Sequence, residues 1–246
     1  MAEGQRCRLV YGVHGYGRGH AARALAVLPE LMRHHEVLVL AGDEAYEQLR
    51  DLCPTVRIPV LRYYHDARGQ RSARLTIQRA IPAFADLALQ GPIAQMVMSV
   101  IRDFDPAVVL SDSEGWTHRA ARALGVPRIS FDHYGIMAYC DLGLSAGERL
   151  ACRAESVVYR YLVCDPERII AVAFYPGQPR RPGVRVVGPI LREAVRQTRP
   201  TDGEFLLAYF SNATVNYRPQ VDRAIRQLDG PVKVYGTGRE GTEGNV

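Results

Sequence analysis

The sequence predicts an α/β fold: a Rossmann-like parallel sheet, followed by the start of a second Rossmann-like domain. Strand and helix patterns alternate along the first 190 residues, which is typical of βαβ units. Several strand segments are continuous apolar runs, as expected for parallel strands that are buried on both faces. A new strand–helix–strand pattern then begins near residue 204. These three observations carry the prediction of the fold class.

The individual elements follow from local patterns in chain order. In the first helix, Ala21, Ala24 and Leu28 recur at the three- and four-residue spacing of a core-facing stripe. Gly125 followed by Pro127 marks the end of a later helix. Strands are predicted at Arg8 to Val13, Glu36 to Ala41, Val56 to Pro59, Ala107 to Ser111, Arg128 to Phe131, Arg168 to Phe174, Val184 to Val187, Phe205 to Phe210 and Val232 to Tyr235. Helices are predicted at Ala21 to Arg33, Asp43 to Leu52, Leu75 to Asp103 with interruptions at Pro82 and Pro92, Thr117 to Leu124, Ala146 to Leu162 and Pro219 to Leu228.

The composition changes at Tyr175 to Arg185, which is rich in proline and glycine, and again at Arg192 to Gly203. Apolar periodicity is lost between residues 192 and 203, which indicates a linker. We therefore predict a domain over residues 1–191, a linker over 192–203 and the beginning of a second domain over 204–246. Two strands and one helix cannot bury a core of their own, so this second domain is expected to be incomplete.

Composition excludes several classes of protein. The formal net charge of +5 is spread along the chain, so it permits an anionic partner without indicating nucleic acid. No run approaches the about 20 apolar residues of a membrane span, and the N-terminus lacks the apolar core of a signal peptide. A cytoplasmic protein is therefore expected. Five cysteines without a C-x-x-C pair fit neither a disulfide framework nor a zinc site, and no metal is predicted.

A glycine-rich turn lies between the first strand and the first helix. Gly15, Gly17 and Gly19 allow a sharp turn and a close approach of the backbone to a ligand, and the helix directs unsatisfied N–H groups at that point. His20 falls at this junction. The turn reads G-x-G-x-G-H where the dinucleotide fingerprint has G-x-G-x-x-G, so NAD binding, with Asp43 or Glu44 on the ribose, stays open. A turn that serves packing alone stays open as well.

A second segment ends a buried strand in carboxylates. Asp112 follows this strand, and the carboxyl ends of parallel strands share one rim of the sheet, so we expect Asp112 to lie near His20. A histidine can remove a proton near neutral pH, and an acidic partner fixes its tautomer. The alternative for Asp112 is a cap of the following helix. His118 and His133 rank second, because histidines near strand ends more often satisfy local backbone groups.

These segments resemble a known family. The run YGVHGYGRGHAARAL from Tyr11 to Leu25 is similar to the G-x-G-H-x-x-R turn of GT-B glycosyltransferases, which include MurG-like N-acetylglucosaminyltransferases and UDP-glycosyltransferases. Pro106 to Asp112, Trp116 and Ala123 to Pro127 resemble the family's succession of strand, acid and Leu-Gly-Ile-Pro. Val187 to Ile190 and Phe205 to Asn212 resemble its linker entry and donor-side loop. The resemblance covers nearly the whole chain.

The resemblance implies an inverting transfer of a hexosyl or N-acetylhexosaminyl group from a nucleotide sugar to an acceptor hydroxyl. His20 would be the general base and Asp112 its orienter. The co-substrate would be UDP-linked, with no other cofactor and no metal. The residues expected to bind the acceptor are Gly17, Arg18, Gly19, Arg23, Tyr64, Glu114, Trp116 and His133, and those expected near the donor are Ser211, Asn212, Gly236 and Gly238.

The acceptor is expected to be a small molecule or a lipid-linked one. The loop from Leu61 to Arg74 carries tyrosines and arginines that suit a sugar or an anionic group, although a solvated loop is the plainer interpretation. Leu75 to Leu89 is amphipathic and suits peripheral membrane contact or a core-facing position. Most of the family's donor half would lie beyond Val246, so poor turnover is expected. A nucleotide-sugar hydrolase and a non-catalytic half that binds a glycan or a partner are the alternatives.

Overall fold

The computed structural model describes residues 6–66, 70, 72–210, 216–238 and 240–245. The chain forms two compact units, one of Met1–Leu61 with Ile81–Arg196 and one of Arg62–Ala80 with Gln197–Val246. The division after Arg196 falls within residues 192–203. Arg62–Ala80, however, groups with the second unit although the sequence analysis placed it in the first domain. The domain bounds of the sequence analysis stay a prediction.

The first unit is built on a parallel sheet of seven strands, as predicted. The strands that the structure shows in this unit are β1 (Arg8–Val13), β2 (Glu36–Ala41), β3 (Thr55–Arg57), β4 (Val108–Asp112), β5 (Arg128–Asp132), β6 (Cys140–Asp141), β7 (Arg168–Val172), β8 (Gln178–Pro179) and β9 (Val184–Val187). The sheet order is β3-β2-β1-β4-β5-β7-β9, and β6 pairs separately with β8 in antiparallel orientation. β2 and β3 follow β1 on one side of the sheet, and β5, β7 and β9 follow β4 on the other side, so β1 and β4 are inner neighbours.

Helices cover both faces of this sheet. The helices up to residue 196 are α1 (Arg18–His34), α2 (Asp43–Leu49), α3 (Ala73–Leu89), α4 (Pro92–Phe104), α5 (Gly115–Ala123), α6 (Gly135–Tyr139), α7 (Ala146–Val163) and α8 (Glu193–Arg196). Of these, α1 and α2 pack on one face of the sheet, and α4 and α5 pack on the other. The predicted interruption at Pro82 is wrong, because Pro82 lies inside α3. The predicted interruption at Pro92 is confirmed, because α3 ends at Leu89 and α4 begins at Pro92. The Asp86 carboxylate accepts hydrogen bonds there from the N–H groups of Ile93 and Ala94. The short elements α6, β6 and β8 were not predicted.

The core lies on both faces of the sheet, as the continuous apolar strands predict. Tyr11 and Leu28 belong to a buried cluster on the side of α1 and α2. Val10, its neighbour in β1, belongs to the cluster on the side of α4 and α5, with Ile101 and Trp116. Successive residues of β1 therefore pack on opposite faces of the sheet. This packing fixes the position of the turn that follows the strand.

The second unit contains the predicted strand–helix–strand pattern. Its strands β10 (Leu206–Tyr209) and β11 (Val232–Tyr235) pair in parallel, and α9 (Pro219–Arg226) connects them. Ile225 and Val232 are buried here.

One pair of the described helices has, taken together, the length and composition of a membrane span. Among the described helices, no single one is long and apolar enough to cross a bilayer, and the pair Arg74–Leu89 and Pro92–Phe104, bent by 49°, meets the criteria only when taken together.

Candidate active site

His20 and Asp112 meet at the carboxyl end of the sheet. Val13, the last residue of β1, is in register with Asp112, the last residue of β4. The turn after β1 therefore passes beside Asp112 before α1 begins. His20 lies in the first turn of α1, and its Nδ1 is 2.7 Å from Oδ1 of Asp112. The predicted proximity of these two residues, 92 positions apart in the sequence, is confirmed.

The glycines of this turn differ in backbone conformation and in packing. Gly17 precedes α1 with φ 85°, a left-handed conformation that favours glycine. A Cβ at Gly15 would overlap the carbonyl of Gly42 and press on Val60. Gly15 is therefore explained by packing, whereas Gly17 and Gly19 have no atom within 4 Å of the place where a Cβ would stand. This leaves open space at the N-terminus of α1.

Arg23 holds the carboxylate of Asp112 from the other side. Its Nε donates to Oδ2 and its Nη2 to Oδ1, each at 2.7 Å. This is the bidentate geometry in which a guanidinium and a carboxylate bind most strongly. The side chain of Arg23 is 13% exposed and that of Asp112 is fully buried. Nε and Nη2 of Arg23 are thus engaged by Asp112, and contact between Arg23 and the acceptor stays a prediction.

The charges around Asp112 determine which atoms of this cluster donate hydrogen bonds and which accept them. Burial alone would raise the pKa of Asp112, but the charges and hydrogen bonds of His20 and Arg23 outweigh it and hold this pKa below its ordinary value. Burial opposes the charge of Arg23 too, and Asp112 more than compensates, so the pKa of Arg23 is raised. Asp112 is therefore ionised and can only accept hydrogen bonds. It follows that Nδ1 of His20 carries the proton of this hydrogen bond, and in the neutral form of the ring the lone pair is then on Nε2.

A second imidazole, missed by the sequence analysis, lies against the first. The rings of His14 and His20 have centroids 5.1 Å apart and meet edge to face at 82°. The backbone N–H of His14 donates to the backbone carbonyl of Asp112 at 3.1 Å. Burial, together with the neighbouring His20, lowers the pKa of His14 to about 3, so this ring is neutral near pH 7. The available signal was its position directly after β1.

Glu114, rather than Asp112, caps α5. Its carboxylate accepts hydrogen bonds from the N–H groups of Trp116 and Thr117 at 2.9 and 2.7 Å. The alternative interpretation of Asp112 as a helix cap is therefore wrong. The prediction that Glu114 binds the acceptor is also corrected, because the residue is buried and both of its oxygens serve the helix. Trp116 is 1% exposed in the core, so it too is removed from the predicted acceptor set.

Asp132 is a second buried carboxylate, at the end of β5, that the sequence analysis did not select. It accepts hydrogen bonds from Ser130 Oγ, from the Tyr159 hydroxyl at 2.7 Å and from the N–H of Gly135 at 2.8 Å. Burial, and then the charge of Asp112, raise its pKa. Its partners tie the end of β5 to α6 and α7, which indicates a structural role. The signal was a polar residue ending an apolar strand, as at Asp112.

The remaining predicted residues of the first unit are spread around the rim and the core. His118 is fully buried, and neither ring nitrogen has a hydrogen-bond partner among the described residues. Burial and the charge of Arg128 lower its pKa to about 3. His133 is exposed after β5, and its Nδ1 donates to the carbonyl of Val172 at 2.8 Å. Arg18 is exposed at the start of α1, 4.0 Å from Glu44.

The other predicted residues belong to the second unit. Tyr64 lies under the guanidinium of Arg79 at 5.0 Å, and its N–H donates to Thr76 Oγ1. Gly236 and Gly238 follow β11 with φ 92° and 71°, and Ser211 and Asn212 lie outside the described residues. No group of three or more histidine, cysteine, aspartate or glutamate side chains within the described ranges is arranged to hold a metal ion.

Several solved glycosyltransferases share this fold. The calicheamicin glycosyltransferase CalG4 is 16% identical, with a TM-score of 0.59, over 95% of this chain and 66% of its own. The glycosyltransferase of kitacinnamycin is 17% identical, with a TM-score of 0.60, over 97% of this chain and 69% of its own. UGT89C1 of Arabidopsis thaliana, complexed with UDP-L-rhamnose, is 14% identical, with a TM-score of 0.56, over 96% and 66%. The chain thus spans about two thirds of the length of each.

The family is established by sequence. A comparison with curated proteins finds no match. The family model described as glycosyl transferase family 1 matches residues 7–246, which is nearly the whole chain. This match agrees with the parallel sheet and with the GT-B fold of the solved structures. The chain therefore belongs to glycosyl transferase family 1.

Proposed function

We propose that His20 is the general base of an inverting glycosyl transfer and that Asp112 orients it. One observation carries the proposal. Nδ1 of His20 is held at 2.7 Å by an ionised, fully buried carboxylate, and Nε2 has no hydrogen-bond partner in the described part of the chain. A base needs an unprotonated nitrogen that a substrate can reach, and the 17% exposure of this side chain supplies the access.

The proposed step is a displacement at the anomeric carbon of a nucleotide sugar. Nε2 of His20 takes the proton of the acceptor hydroxyl as its oxygen forms a bond to the anomeric carbon. The bond from that carbon to the diphosphate oxygen breaks on the opposite face, and the nucleoside diphosphate leaves with the electron pair. Asp112 stabilises the imidazolium that forms, and Arg23 keeps Asp112 ionised throughout. The sugar is transferred with inversion.

The substrates are proposed by class. A UDP-linked donor is supported by UGT89C1, whose structure holds UDP-L-rhamnose, and the transferred group is proposed to be hexosyl or N-acetylhexosaminyl. Gly236 and Gly238 are proposed to approach the donor. Peripheral membrane contact and a lipid-linked acceptor are supported by two apolar side chains of α3, Ile81 and Leu89, which are 57% and 81% exposed.

The test is a transfer assay with this chain. UDP-sugars are incubated with a panel of acceptor alcohols, and the glycosylated product, free sugar and UDP are quantified. His20→Ala should lower transfer by about 10² to 10⁴, the usual contribution of a general base. His34→Ala is the matched control, because His34 lies on the same helix, is exposed and has its Nε2 3.0 Å from Oε1 of Glu30. The control should retain the activity of the parent chain.

The assay separates the alternatives. Free sugar formed without an acceptor would identify a hydrolase in which His20 activates water. Acceptor binding without any consumption of a UDP-sugar would identify a non-catalytic half. Transfer that His20→Ala leaves unchanged would refute His20 as the base.

A further inference from the structure

We propose that His14 is a positioning residue for His20: its ring fixes the orientation of the His20 imidazole, so that Nδ1 stays on Asp112 and Nε2 stays free. The inference rests on the proposed role of His20 as the base. It adds a residue that has no counterpart among the predicted site residues.

One hydrogen bond does not fix an imidazole. The bond from Nδ1 to Asp112 Oδ1 holds one atom, while the ring can still tilt about that contact or flip to present a carbon to the carboxylate. The ring contact with His14, 5.1 Å between centroids and 82° between planes, is a second point of restraint. Edge-to-face packing at this distance is a preferred geometry of ring pairs. Two restraints at different atoms define the plane of the His20 ring.

His14 is itself placed rigidly. Its backbone N–H is bonded to the carbonyl of Asp112, the residue whose side chain receives His20. The next residue, Gly15, packs so closely on Gly42 that a Cβ has no room. Both contacts that orient His20 therefore depend on Asp112 at the end of β4. One is made by its side chain, and the other is made by His14, whose backbone is bonded to the Asp112 carbonyl.

The charge of His14 must be compatible with this role. The ionisable groups around the pair are Asp112, Arg23 and, behind them in the core, Tyr11 and Asp132. Asp112 is bonded to both Arg23 and His20, so a further cation at His14 would have no carboxylate of its own. Burial and His20 lower the pKa of His14 to about 3. A neutral His14 lets His20 accept the proton alone, and the edge-to-face contact persists during this step.

The test measures the tautomer of His20 directly. Ring-nitrogen NMR on the uniformly ¹⁵N-labelled chain at pH 8 distinguishes protonated Nδ1 from protonated Nε2 without any substrate. The parent chain should show the Nδ1–H form in about tenfold excess or more, because the acceptor is a charged group. His14→Ala should reduce this excess about two- to tenfold, the value of one ring contact. His14→Phe keeps the ring edge without nitrogens and should preserve the excess.

Each outcome decides the matter. His14→Leu fills the space without a ring and replaces His14→Ala if that variant does not fold; it should show the same loss. An unchanged tautomer ratio in His14→Ala or His14→Leu would overturn the inference, and so would an equal loss in His14→Phe. A parent chain that lacks the Nδ1–H form would instead refute the proposed role of His20. The two failures are therefore distinguishable, and His34→Ala again serves as the control.

Discussion

Replacing Arg23 by methionine should destabilise the chain by about 3 kcal/mol. The substitution keeps the apolar stem of the side chain but removes both hydrogen bonds to Asp112. It leaves a fully buried carboxylate with His20 as its remaining side-chain hydrogen-bond partner among the described residues. Removing one member of a buried ion pair costs about 3–5 kcal/mol, and we expect the lower end because the hydrogen bond from His20 to the carboxylate remains. Urea unfolding at pH 7, followed by circular dichroism, measures the loss.

The same helix supplies the control. Arg33 pairs with Glu30 at 2.8 Å, but these side chains are 73% and 64% exposed, so Arg33→Met should cost less than about 1 kcal/mol. Arg23→Lys retains the charge without the fork and should fall between the two. The double variant Arg23→Met with Asp112→Asn should recover part of the loss, because no buried charge remains. A cost of Arg23→Met no larger than that of Arg33→Met would refute the reasoning.

Three further predictions concern stability. The pKa of His118 is about 3 in the fold against 6.5 ordinarily; the unfolded chain therefore binds the proton first as the pH falls below 6.5, and stability is lost from there towards pH 3. His118→Leu should remove about 2 kcal/mol of this loss at pH 5. Urea titrations of the parent and the variant at pH 7 and pH 5 measure this, and an equal loss of stability in the two proteins would contradict the prediction. Gly15→Ala should lower the free energy of unfolding by about 1–3 kcal/mol through overlap with Gly42, whereas Gly19→Ala should cost nothing; equal melting temperatures would count against this account. Glu114→Ala should cost about 1–2 kcal/mol by uncapping α5, Glu114→Gln less, and identical thermal melts for these two variants would argue against the cap.

The parts of the structure that the sequence predicted depend on local patterns. The sheet, α1 and the strand–helix–strand of the second unit follow from periodicity and glycine or proline boundaries. The proximity of His20 and Asp112 followed because parallel strands end at one rim. The pattern of α1 places Arg23 one turn beyond His20 on the same face, but it does not tell whether the guanidinium turns inwards to a carboxylate or outwards to a substrate.

Nonlocal geometry decides the rest. Asp112 and Glu114 are both able to cap α5 by residue type. Ser113 between them adopts φ 55°, and the chain turns there so that Glu114 meets the helix N–H groups while Asp112 stays on the sheet. His14 was missed because the direction of a side chain after a strand depends on how the turn packs, here on Gly42. Trp116 was misassigned because an aromatic side chain near a strand end suits a core as well as a sugar.

The imidazole and its carboxylate are contributed by elements that flank the two middle strands. Their meeting requires the crossover that joins β1 to β4, which encloses β2, β3 and several helices along the chain. Loosening of the outermost strands β3 or β9 would leave this junction intact, while separation of β1 from β4 would abolish it together with the core. The proposed base, His20, is thus coupled to the centre of the sheet, and amide exchange at Val13 should report whether this junction is intact.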